Sequence, residues 1–203
     1  MKERGIFLKR FRKVLIVLLA ILVPVSIGFG FNFFSGESSD SAENQAMTVA
    51  GTLTVNQISE SQNLVPQDKI CNGVTMDITS SAVSLLRVKV DIYCADSETA
   101  ETDIAPIKNA GDNWLKGSDG YYYYTQGVKN GDIVKLAEEG IYFNGLNDNV
   151  DMNKYQGKKI KVVANAELVQ AKHGVFAEKW GLSENKDGDI YTKLKKISND
   201  QGQ

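Results

Sequence analysis

The sequence predicts an all-β fold, an antiparallel β-sandwich of jelly-roll or Ig-like topology with one or two short helices. Three observations carry this. Apolar residues recur at every second position over several segments, turn residues punctuate those segments at short intervals, and long amphipathic helical patterns are scarce. SLLRVKVDIYC, residues 84–94, is the clearest strand. Leu86, Val88, Val90, Ile92 and Cys94 fall on one face, and Arg87, Lys89, Asp91 and Tyr93 on the other. KKIKVVANAELVQA, residues 158–171, repeats the device with Ile160, Val162, Ala164, Ala166 and Leu168.

Taken in order, residues 1–13 hold six Lys/Arg and one Glu, and residues 14–34 (VLIVLLAILVPVSIGFGFNFF) carry no charge. A basic flank before an apolar stretch of about 20 residues is an export signal that keeps the basic side in the cytoplasm. Pro24, Gly28, Gly30 and Asn32 weaken the second half as a helix, which favours a cleaved signal over a permanent anchor. Small-x-small processing candidates stand at Gly28-Phe29-Gly30 and Gly36-Glu37-Ser38. Residues 1–36 therefore read as a signal peptide or signal-anchor, and the protein as extracellular or cell-surface, touching membrane only through this leader.

Residues 37–46 form a polar linker or mature N-terminal segment. The sandwich domain spans 47–181. MTVAGTLTVNQ, residues 47–57, alternates and is rich in β-branched residues. With Met47, Val49, Leu53 and Val55 on its apolar side, it is a candidate assembly segment that could complete a neighbour's sheet; the alternative is the first strand of its own domain. NWLKGSDGYYYYTQ, residues 113–126, reads as a hairpin turning through Lys116–Gly120. Alternation sends Tyr121 and Tyr123 to one side of the return strand and Tyr122 and Tyr124 to the other. One pair is expected to pack inward beside Trp114, leaving the other as cross-strand or subunit-contact surface. Asn130-Gly131 marks the turn before DIVKLAEEGIYFN. VFAEKWGLS, residues 175–183, is the best helix, a short helical turn is expected near Ala105–Asn109, and residues 182–203 read as a polar C-terminal tail.

Several functions lack their residues. Beyond residue 13 the chain holds 17 basic and 24 acidic residues, a net charge that phosphate backbones repel, so nucleic acid is not an expected partner. The single histidine, His173, cannot supply the two imidazoles of a zinc protease of the H-E-x-x-H kind, and no serine sits in a nucleophile motif. No active site, metal or cofactor is read. NDNVDMN, residues 147–153, spaces Asn149, Asp151 and Asn153 like an EF-hand loop, but Lys154 and Ile160 stand where that loop needs Gly and Glu. NKDGD, residues 185–189, is similarly incomplete. Cys71 and Cys94, in the exported part, are a disulfide candidate, the alternative being two separate thiols.

Four segments in sequence resemble the SipW-dependent exported proteins, the group that includes TasA, camelysin and BsaA-like proteins of Gram-positive bacteria. GFNFFSGESSDSAENQAMTVAGTLTVN resembles that group's leader exit and first strand, and LLRVKVDI its central strand. NWLKGSDGYYYYTQGVKNGDIVKL resembles its Trp, Asp-Gly-Tyr-Tyr-Tyr, turn-Gly unit and IKVVANAELVQA its late strand ending in Ala-Glu-x-Val-Gln-Ala, so the resemblance covers roughly residues 28–175. It implies a jelly-roll or Ig-like sandwich, export through a dedicated signal peptidase, and non-covalent self-assembly into biofilm matrix or surface fibres. Gly30-Phe31-Asn32 replaces the Ala expected at the processing site, and the cysteine pair is outside the pattern. A carbohydrate-binding or adhesion module is the alternative reading. A camelysin-like metalloprotease comes after it.

Overall fold

Alternating strands leave each sheet one apolar face to bury, and two such faces meeting make a sandwich. The computed structural model describes residues 31–35, 49–58, 64–94, 97–144, 155 and 158–200. One sheet contains β1 (Phe31–Ser35), β2 (Val49–Gln57), β3 (Lys69–Ser80) and β7 (Ile133–Leu136), in the order β1-β2-β3-β7, with the short β8 (Ile141–Tyr142) also on β3. The facing sheet contains β4 (Ser84–Cys94), β5 (Trp114–Lys116), β6 (Tyr121–Tyr124) and β9 (Ile160–Gln170), in the order β5-β6-β4-β9. All pairings are antiparallel, and β4 and β9 run in register from Ser84↔Gln170 to Cys94↔Ile160.

The inner faces are those the periodicity assigns. Leu53, Val74, Met76 and Ile78 meet Leu86, Val88, Val90, Ile92, Val162 and Leu168 in one buried cluster. The Asn130-Gly131 turn, with Gly131 at φ +84, does not close a hairpin. It carries the chain from β6 in one sheet to β7 in the other, and the Gly131 N–H donates to the Ile78 carbonyl. The helical turn is a 3₁₀ turn at Thr102–Ile104, just ahead of the expected place.

Cys71 on β3 and Cys94 at the end of β4 are buried thiols not joined by a disulfide. This is the arrangement of two separate thiols that stood as the alternative to a bridge, with the Cys71 Sγ directed 3.2 Å from the Gly73 carbonyl.

The polar-tail expectation for residues 182–203 is also corrected. Helix α1 (Val175–Trp180) arrives as expected, but Glu184–Asp200 is a second helix, α2, kinked at Gly188. Ile190 and Leu194, one turn apart, are buried with Phe176, Trp180 and Leu182 against Leu85, Tyr123 and Val169 on the outer face of the second sheet. The described residues therefore form two apolar clusters, one between the sheets and one beneath the helices. No helix among the described residues is long and apolar enough to cross a membrane. The apolar leader up to residue 30 and the NDNVDMN stretch lie outside the described residues.

Candidate functional site: the sandwich edges and the aromatic hairpin

The expected hairpin forms, with the register Trp114↔Tyr124, Leu115↔Tyr123 and Lys116↔Tyr122. Alternation then sorts the tyrosines. Tyr122 is buried in the inter-sheet cluster, and Tyr124 packs on it with its ring centroid 5.0 Å from that of Trp114. The other pair is not left open. Tyr123 is fully buried and Tyr121 half-buried, because α1 and α2 cover that face and Trp180 meets Tyr123 edge-on at 5.8 Å. A face expected to be open is closed by the segment read as a tail.

Among the described residues one charged side chain is buried, and it lies beneath the helices. Arg87 of β4 is 9% exposed, its guanidinium 3.9 Å from the Tyr121 ring and 5.0 Å from that of Trp180. Its Nε and Nη2 donate to Glu167 Oε2 at 3.0 and 2.7 Å, and Nη1 donates to the Tyr123 hydroxyl at 3.3 Å. The Tyr121 hydroxyl donates to Glu167 Oε1 and the Tyr123 hydroxyl to Asp119 Oδ2, at 2.7 and 2.6 Å. A buried charge persists only when paired and hydrogen-bonded, and this one is both. Burial would pull the Arg87 guanidinium down, but the hydrogen bonds to Tyr123 and Glu167 hold it above its ordinary value. Burial, then the bond to Glu167, raises Tyr121; burial, then the bond to Asp119, raises Tyr123. The network ties β4, β6 and β9 together beneath the helical cap.

The edges of the sheets are where the molecule can meet another strand. At one side β7 and β5 end the two sheets, and the Trp114 indole N–H donates across the gap to the Lys135 carbonyl of β7 at 2.8 Å. At the other side stand β1 and β2 of one sheet and β9 of the other. Gln57 reaches from β2 to the outer edge of β9. Its Nε2 donates to the Ile160 carbonyl at 2.7 Å, and its Oε1 accepts from the Val162 N–H at 3.2 Å.

A register shift between Val55 and Gln57 places an extra residue of β3 opposite them, around Gly73 at φ +92. Such a bulge re-aims neighbouring side chains. Leu53 and Val55 contribute to the inter-sheet cluster on the same side of β2 as Gln57.

The proposed assembly segment is thus an internal strand of its own sheet, paired on both sides. Leu53 is fully buried and Val55 packs on the core; Met47 and the side chain of Val49 lie outside the described residues. β1, the strand drawn from the end of the leader, takes the edge position, pairing Phe31↔Thr54 through Ser35↔Ala50. His173 sits exposed in the turn between β9 and α1 at φ +55.

Gln57 escapes a sequence reading that follows apolar residues. The available signal is its parity, a glutamine two places after Val55 on an otherwise inward face. The fold and its edges define a β-sandwich with a helical cap over one face. No family model, curated protein or solved structure matches the chain.

Proposed function

We propose that the protein is an exported structural subunit of biofilm matrix or surface fibres, assembling non-covalently by strand exchange. The observation that carries this is β1, which stays on the exported chain if processing falls at Gly28-Phe29-Gly30 and is lost if it falls at Gly36-Glu37-Ser38. It is an edge strand of only five residues, from the end of the leader, and residues 36–48 alone join it to β2. Edge strands on a separable connection are the usual currency of domain swapping, because the pairing made in one chain is available unchanged between two. In this reading Phe31–Ser35 leaves its own β2 and pairs with that of a neighbour, in place of the residue 47–57 donation that the alternation suggests. Residues 47–57 are too deeply paired to be lent without opening the core.

The export signal and the resemblance to the SipW-dependent group support the same reading. The test compares chains beginning at Phe31 and at Glu37, by sedimentation and electron microscopy. The longer chain is expected to form fibres and the shorter to lose them. Equal polymerisation by both would overturn strand exchange through β1. The mass of the protein recovered from the cell surface reports whether the leader has been removed.

A further inference from the structure

A sheet edge is a template for any extended chain, and proteins close such edges with bulges, charges or covering groups. β9 is an eleven-residue edge strand, the longer of the two edge strands of its sheet. A peptide group on an added strand would offer β9 one N–H and one C=O. The Gln57 amide offers the same pair from a side chain, and it already occupies the Ile160 carbonyl and the Val162 N–H.

We propose that Gln57 is an edge guard: its amide imitates a paired strand at the start of β9 and denies that edge to a second copy of this chain. Three features of the chain support it. Both ends of the amide are engaged, so the contact reproduces the two-bond pattern of a ladder and not a single polar touch. The bulge at Gly73 sits opposite Gln57, where it can turn the side chain out of the sheet plane toward the facing sheet. And Trp114 performs the same act in the opposite direction, its indole N–H closing the Lys135 carbonyl of β7. Each seam of the sandwich is thus crossed by a side chain from one sheet that bonds the backbone of the other. The occupant excluded at β9 is the β9 of another copy. A second molecule presents the same edge, and two such edges are self-complementary in an antiparallel pair.

This goes beyond the proposed fibre role, since it holds whether or not β1 is exchanged. The test uses the chain beginning at Phe31 and the variant Gln57→Met, which keeps the side chain's length and removes both hydrogen-bonding groups. Amide exchange at Val162 is expected to accelerate by roughly tenfold or more, while the amides that β9 gives to β4 stay protected as an internal control. Sedimentation velocity of the chain beginning at Glu37, which lacks β1 and opens the β2 edge equally in both proteins, should then show a tighter concentration-dependent dimer for Gln57→Met than for the parent. Gln57→Asn keeps the amide but is one methylene too short to reach β9, and it carries the same expectation should Gln57→Met not fold. Unchanged exchange at Val162, or accelerated exchange without a tighter dimer, overturns the proposal. Neither result bears on fibre formation by the longer chain, which is read separately.

Discussion

Cys71 shows how one residue's surroundings set its chemistry. It is fully buried, and burial raises its thiol from 9.0 to about 11, against the lowering effect of the hydrogen bonds at Gly73 and Asn56. A thiol held protonated and out of solvent is a poor nucleophile, so alkylation in native conditions should spare Cys71 and proceed once urea unfolds the chain. The same shift has a signed effect on stability. A pKa raised on folding stabilises fully below the unfolded value and is lost as pH climbs through the folded one. Between pH 9 and 11 this thiol alone should remove on the order of 2 kcal/mol. Tyr121 and Tyr123, both raised above their ordinary value of 10.0, extend the loss to higher pH. Urea midpoints at intervals from pH 8 to 11 read it, and a flat profile would contradict the burial of these groups.

Gly73 makes a second residue-scale case. At φ +92, an added Cβ would lie 2.6 Å from the Ala137 carbonyl oxygen and 2.8 Å from that of Leu136. Both obstacles are backbone, so neither can swing aside. Gly73→Ala should cost about 3 kcal/mol or more, combining left-handed strain with overpacking. Gly131→Ala, at φ +84 with nothing within 4 Å of its Cβ, should cost less, and equilibrium unfolding separates the two.

At the scale of elements, legibility followed burial. β4 and β9 could be read directly because one face of each is apolar at period two and that face meets the core. The hairpin and its alternation followed from Asp119-Gly120 and the run of tyrosines, but not the register or which pair faces inward, since both faces of β6 are covered. What covers the second face is α2, and it stayed hidden for a physical reason. Its buried contribution rests on few side chains, chiefly Ile190 and Leu194, set among lysines and preceded by the break at Gly188. The signal was present in the helical spacing of Ile190, Leu194 and Ile197, but it is too sparse to outweigh the surrounding charge. The docking of this helix has a measurable consequence. Leu194 is fully buried, so Leu194→Ala should destabilise by about 2 to 4 kcal/mol. Because Trp180 lies in the same cluster, its fluorescence should shift to the red when the chain is cut after Leu182. A stability loss within error of zero would return the segment to the status of a tail.

For the whole molecule, the two seams set how independent the sheets are of one another. Gln57 crosses on the β2/β9 side and Trp114 on the β7/β5 side. Within the second sheet β9 and β5 lie three strand spacings apart, roughly 14 Å, so the two contacts share no partner. Trp114→Phe keeps an aromatic ring beside Tyr124 and removes only the indole donor, leaving the Lys135 carbonyl without it. The expected cost is about 1 to 3 kcal/mol, the range for a hydrogen-bonding group left without its partner. Gln57→Met should cost a similar amount. If the seams act separately, the double variant will lose the sum of the two within about 0.5 kcal/mol. A coupling well above that would mean the sheets shift against each other as rigid layers, so that loosening one side loosens the other. Urea unfolding of the four chains, monitored by far-UV circular dichroism so that the lost indole does not bias the signal, decides between these outcomes.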